Sequence, residues 1–143
     1  MTLAEKKAAL TRDLTGLPTG QDRLSFLVNR ARQRPPLAAN ERTDDRLLPG
    51  CLAKLWFVSE FRDGACFYRC DSDSLVVKAV AGLLCEFYSG QPPAEILAHH
   101  PAFLAPLGIT QHLTPNRRNA LAKVWDHIET FARAHGTAPP APP

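Results

Sequence analysis

The chain has 143 residues, 45% apolar and 22% charged, which suits a single packed domain and excludes two full domains or a disordered chain. With 17 Lys+Arg against 14 Asp+Glu, the formal charge of +3 is too small and too dispersed to point to nucleic acid or an anionic membrane. Four cysteines need a reason. The opening segment, MTLAEKKAALTRD, is charged and helix-like and lacks the apolar stretch of a signal peptide. The longest apolar run, Leu75 to Tyr88, is broken by Lys78 and Glu86 and is too polar to span a bilayer. A cytoplasmic location with reduced thiols is therefore expected, and a disulfide framework is not.

In chain order, Thr2 and Glu5 form a capping box ahead of a helical stripe of Leu3, Ala8, Leu10 and Leu14. Gly16, Pro18 and Gly20 interrupt it. A second helix is predicted from Gln21 to Arg32, with Leu24, Leu27, Val28 and Ala31 on one face, stopped by Pro35 and Pro36. Leu37 to Asp45 reads as a polar surface loop. Ala53–Phe61 and Ala65–Cys70 read as two strands joined by Asp63-Gly64, a dipeptide suited to the positive φ angles of a tight hairpin. Arg46–Leu48 is a candidate third strand.

Asp71 or Ser72 is expected to cap a helix running to Ser89, with Val76, Val80, Leu83, Leu84 and Phe87 on one face and Gly90 at its end. Pro92 to His99 reads as a short helix. Thr114 and Pro115 open a last helix to about His135, carrying Leu121, Val124, Trp125, Ile128 and Phe131 inward. The tail from Thr137, with four prolines in its last five residues, reads as a disordered appendage. Helices, a hairpin and more helices, without βαβ alternation, make the class α+β: a small antiparallel sheet packed on several helices, in one domain over residues 1–136.

Any chemistry lies among the cysteines. Their separations of 15, 4 and 15 positions contain no C-x-x-C knuckle, which disfavours zinc, so no metal site is expected. Cys85 falls inside the third helix as a packed or bystander residue, and Cys66 and Cys70 share one face of the second strand. Cys51 differs, because it follows the Pro49-Gly50 turn at a loop tip. Its neighbours Arg46 and Lys54 favour a thiolate, and Leu48, Leu52 and Trp56 offer a dry niche. Residue types alone leave Cys51 open between an inert loop thiol and a nucleophile.

Three motifs then resemble the SufE family of sulfur-acceptor proteins in iron–sulfur cluster assembly. They are Leu48-Pro49-Gly50-Cys51 followed by Trp56, Asp71-Ser72-Asp73 leading into Val76-Val77-Lys78, and the run from Thr110 to Arg117. The resemblance covers about Leu10 to His135 in matching order and spacing. It implies the SufE-like α+β fold and an accessory protein rather than an enzyme. Cys51 would accept the terminal persulfide sulfur of a pyridoxal-phosphate cysteine desulfurase, stimulate that enzyme and pass the sulfur to a scaffold.

On that resemblance the protein holds no cofactor of its own, and the pyridoxal phosphate belongs to the partner. Arg117 matches the arginine of the family's H-L-T-P-x-R motif. Arg117, Lys54 and His112, with Gln111, are candidates for partner contact or site support, with helix-entry scaffolding the equal alternative for His112 and Gln111. Family habit and size imply a monomer or weak dimer. Leu52-Ala53-Lys54-Leu55 is more apolar and more basic than the small polar residues usual there. Cys66, Cys70 and Cys85 have no family counterpart. The sulfur's destination, a cluster or another product such as a thiolated tRNA or cofactor, stays open. A cluster-binding module would need several loop cysteines, and only Cys51 occupies such a loop.

Overall fold

A computed structural model of the chain describes residues 1–50 and 52–136. Cys51 and the proline-rich tail, 137–143, lie outside the described residues. Helix α1 (Leu3–Thr15) opens on the expected capping box: the Glu5 N–H donates to Thr2 Oγ1 at 3.1 Å, and the Thr2 N–H donates back to Glu5 Oε1 at 2.9 Å. It buries Leu3, Leu10 and Leu14, while Ala8 faces solvent. Helix α2 (Gly20–Gln33) is capped by Thr19 and buries Leu24, Leu27 and Ala31, with Val28 half-buried. The segment that follows is not purely a loop. It winds through 3-10 turns at Ala39–Glu41 and Asp44–Arg46, and Leu37 is buried.

Strands β1 (Leu55–Arg62) and β2 (Ala65–Ser72) pair antiparallel from Leu55 opposite Ser72 to Arg62 opposite Ala65. Asp63 and Gly64 turn between them with φ of 53° and 77°, the left-handed pair that this kind of turn requires. Among the described residues the sheet has these two strands. The candidate third strand is reduced to one bridge, Leu47 to Trp56, because Arg46 is already committed to a 3-10 turn. Phe57, Cys66 and Tyr68 are buried, and the Tyr68 hydroxyl donates to the Ile128 carbonyl at 3.2 Å.

Helix α3 (Leu75–Tyr88) is the central element. The sequence suggests one apolar face, yet ten of its fourteen residues are buried. Its N-cap is Ser74, whose hydroxyl accepts the Val77 N–H, rather than Asp71 or Ser72, since β2 runs on through both of those residues. The true role of Asp71 is different. Only 5% exposed, it accepts the Leu37 N–H at 3.1 Å and pairs with Lys78 at 3.5 Å. At the other end, Lys6 Nζ donates to the carbonyls of Glu86, Phe87 and Ser89 at 2.9, 3.2 and 3.0 Å, a cation on the negative end of the helix. Gly90 leaves the helix at φ 80°.

Helix α4 (Pro93–Ala98) and 3-10 turns at Pro101–Leu107 and Thr110–His112 lead to α5 (Pro115–Gly136). Helix α5 buries Ala120, Val124, Trp125, Ile128 and Ala132, and Leu121 and Phe131 are half-buried against the same core.

Removing the Asp71 carboxylate leaves a buried N–H without an acceptor and a largely buried ammonium without a partner. Asp71→Ala should therefore cost about 3 kcal/mol in urea unfolding, and a loss under about 1 kcal/mol would show the pair to be dispensable. Glu86 gives a pH signature. Burial raises its pKa, but hydrogen bonding and charge from Arg34, then Arg30 and Lys6, outweigh this and hold it below its ordinary 4.5. A folded pKa below the unfolded one stabilises fully above about pH 4.5 and is lost as pH falls through the folded value. Because Glu86 is 40% exposed, Glu86→Gln should cost only about 1 kcal/mol at pH 7, and the gap from the parent protein should close as pH drops below 4.5.

Candidate functional site

The three sequence motifs, far apart in the chain, converge on the segment that flanks position 51. Gly50 takes φ 82°, a left-handed angle that favours glycine, and this explains the Pro49-Gly50 pair. The Lys123 side chain of α5 lies alongside, its Cε 3.4 Å from where a Cβ on Gly50 would stand. The Gly50 carbonyl accepts from Asn119 Nδ2 of α5 at 3.0 Å. On the far side of position 51, the Lys54 backbone is held by the second motif. Its N–H donates to Asp73 Oδ1 at 3.0 Å, and its carbonyl accepts from the Ser72 hydroxyl at 2.7 Å and the Asp73 N–H at 3.2 Å.

The third motif forms a wall. Thr114, Asn116 and Arg117 line a cleft of about 260 Å³ together with Leu52, Ala53 and Val77. Thr114 opens α5 by accepting the Arg117 N–H at 3.4 Å. Arg117 is half-buried, and among the described residues its guanidinium has no ion-pair partner. Of the expected niche of Leu48, Leu52 and Trp56, Leu52 lines the cleft and the other two do not. Leu52 is 81% exposed at its mouth, Leu48 packs on the core, and Trp56 lies 6.0 Å beneath the Arg42 guanidinium. The rest of the apolar lining comes from Ala53, Val77 and Ala120.

The other expected residues separate. Lys54 reaches the segment through its backbone, with an exposed side chain. His112 packs against the start of α2, so closely that a Cβ on Gly20 would fall 2.6 Å from its ring, and it is not among the cleft-lining residues. Gln111 donates to the Ala105 carbonyl at 3.3 Å. Both act at the entry to α5. Sequence reasoning missed Asn119 and Lys123. With Pro115 they stand four residues apart on the solvent side of α5, a spacing that gave the only hint of a shared face. Among the described residues no three His, Cys, Asp or Glu side chains gather as a metal-binding set, and no helix is long and apolar enough to cross a membrane.

Comparison with known proteins points to the family that the three motifs resemble. The SufE family, described as an Fe-S metabolism associated domain, matches residues 8–132. SufE-like protein 1, chloroplastic/mitochondrial, of Arabidopsis thaliana is 38% identical over 89 residues, which is 60% of this chain and 24% of that protein. The SufE-like protein slr1419 of Synechocystis is 32% identical over 85 residues, 59% of this chain and 54% of that protein. The chain thus spans about a quarter and about half the length of these two relatives. A solution structure of a hypothetical protein from Thermus thermophilus superposes with a TM-score of 0.75 at 24% identity, over 96% of this chain and 100% of the other, and shows the same α+β fold. With the family matched from the first helix to the last, the chain belongs to the SufE family.

Proposed function

We propose that the chain is a sulfur carrier of iron–sulfur cluster assembly, with Cys51 as the acceptor. The Cys51 thiolate attacks the terminal sulfur of a persulfide on a pyridoxal-phosphate cysteine desulfurase. A new S–S bond forms on Cys51, the old one breaks, and the desulfurase thiolate leaves. Draining the desulfurase of its sulfur stimulates its turnover, and a scaffold thiol removes the sulfur from Cys51 in a second exchange of the same kind.

The observation that carries this reading is the double anchorage of the segment. Asn119 holds residue 50, and Ser72 and Asp73 hold residue 54, so the chain is anchored before and after Cys51, and Leu52 and Ala53 of this segment line a cleft. Anchors on both sides of a thiol suit its presentation to a partner's site. Lys123 beside Gly50 and Arg117 in the cleft wall supply positive charge, which favours the thiolate, the nucleophilic form. An apolar floor keeps water from a labile persulfide.

Incubation with a cysteine desulfurase and cysteine should add one sulfur atom to the peptide containing Cys51, read by mass spectrometry. Cys51→Ser should abolish the addition while shifting stability by less than about 0.5 kcal/mol. A Cys51→Ser protein that still gains sulfur, or that still stimulates the desulfurase fully, would overturn the carrier role.

Asn119→Ala tests the anchor. Freeing the Gly50 carbonyl should slow sulfur acceptance roughly ten-fold, since a misplaced reacting group is costly even far from the chemistry, with unfolding changed by under about 1 kcal/mol. Unchanged transfer would make the hydrogen bond incidental.

A further inference from the structure

Three cysteines have no part in the carrier chemistry, and two of them stand together. Cys66, Cys70 and Cys85 are free thiols. Cys66 and Cys70 share a face of β2, but four strand residues span about 13 Å. A disulfide tolerates no more than about 7 Å between its Cα atoms, so these two cannot bridge. Cys66 is fully buried. Cys70 and Cys85, in contrast, line one cleft of about 280 Å³ between β2, α3 and the chain from Arg34 to Leu37.

The two thiols are unequal. Cys85 is 4% exposed; burial pushes its thiol well up, and the adjacent Cys70 thiol adds to the push. Cys85 therefore stays protonated and out of reach of solutes, whereas half-buried Cys70 meets them. Arg34 lines the same cleft. Its Nη2 pairs with Glu86 at 2.9 Å, while Nη1 is buried with no hydrogen-bond partner among the described residues. It lies against Gly82, where a Cβ would come within 2.3 Å of Nη1, so the helix surface is cut away to admit this guanidinium. The guanidinium is ion-paired with Glu86 and still places a buried N–H donor in the cleft that both cysteines line, where it would stabilise a hydroxide leaving from an oxidised sulfur.

We propose that Cys70 and Cys85 form a redox dithiol that a peroxide closes to an intramolecular disulfide. Cys70, as thiolate, attacks one oxygen of hydrogen peroxide. The O–O bond breaks, hydroxide leaves and takes a proton to become water, and Cys70 becomes a sulfenic acid. The Cys85 sulfur then attacks the Cys70 sulfur, the S–O bond breaks, and the departing hydroxide leaves as water with the Cys85 proton. Each sulfur gives up one electron, and the peroxide takes two to yield two waters. The closed bond ties β2 to α3 without using Cys51.

The test uses the full chain and its Cys51→Ser variant, so that failure of the carrier role leaves this result readable. Each is treated with hydrogen peroxide, alkylated under denaturing conditions without reductant, digested and mapped by mass spectrometry. The expected product joins the Cys70 and Cys85 peptides, lacks two hydrogens, and is released by dithiothreitol, with Cys66 found alkylated. Cys85→Ala should leave Cys70 as a sulfenic acid trapped by dimedone, and Cys70→Ser, at a half-buried position that folding tolerates, should abolish the cross-link. Arg34→Gln should slow closure severalfold. Full alkylation of both cysteines after peroxide, or a bridge from Cys70 to Cys66 or to a second chain, would overturn the proposal.

Discussion

Burial of α3 on nearly every side is the constraint from which the rest of the structure follows. A helix with ten of fourteen residues buried is set by its neighbours, and other elements also satisfy its end groups. Ser74 covers the first turn. Lys6, reaching from α1, takes three carbonyls of the last. The sheet, α2 and α5 then have a common surface on which to pack. Buried Asp71, just ahead of the helix, fixes the entry by holding Lys78 and the Leu37 backbone at once.

That entry is also where the site begins. Ser72 and Asp73 follow Asp71 directly and bind the backbone of residue 54, so the shoulder of the cysteine-bearing segment is built on the same residues that seat the central helix. The other shoulder hangs from Asn119 on α5, a helix held through Val124, Trp125 and Ile128 in the core. Positioning of the segment is thus coupled to core packing by hydrogen bonds one step removed from it. A motif that reads as D-S-D in the sequence does two jobs: its first residue belongs to the core and the next two to the site.

The sequence made the local features legible. Thr2 with Glu5, Asp63-Gly64 and Gly90 each encode their conformation within a few residues, and each is found where expected. What it hid were consequences of distance. Arg46–Leu48 has strand-like residues, but a 3-10 turn claims Arg46 and leaves a single bridge. Asp71 looks like a helix cap, because nothing local reveals that Leu37, 34 residues earlier, presents a buried N–H to it. The family's loop was recognisable from G-C-x-x-x-x-W, whereas Asn119 was not, since its partner lies 69 positions away.

The same distinction separates the thiols. Cys66, Cys70 and Cys85 read alike as packing residues, and strand or helix periodicity assigns each a face without saying which faces meet. Pairing depends on how β2 lies on α3, and that is settled by volume. Gly82 leaves room for the Arg34 guanidinium, and Arg34 in turn reaches Glu86 one turn further along the helix. A larger residue at 82 would push the arginine out of the cleft and take its charge away from Cys85. A glycine in the middle of a buried helix ordinarily weakens it by about 1 kcal/mol relative to alanine. Its presence here is explained by the charge it admits beside two sulfurs.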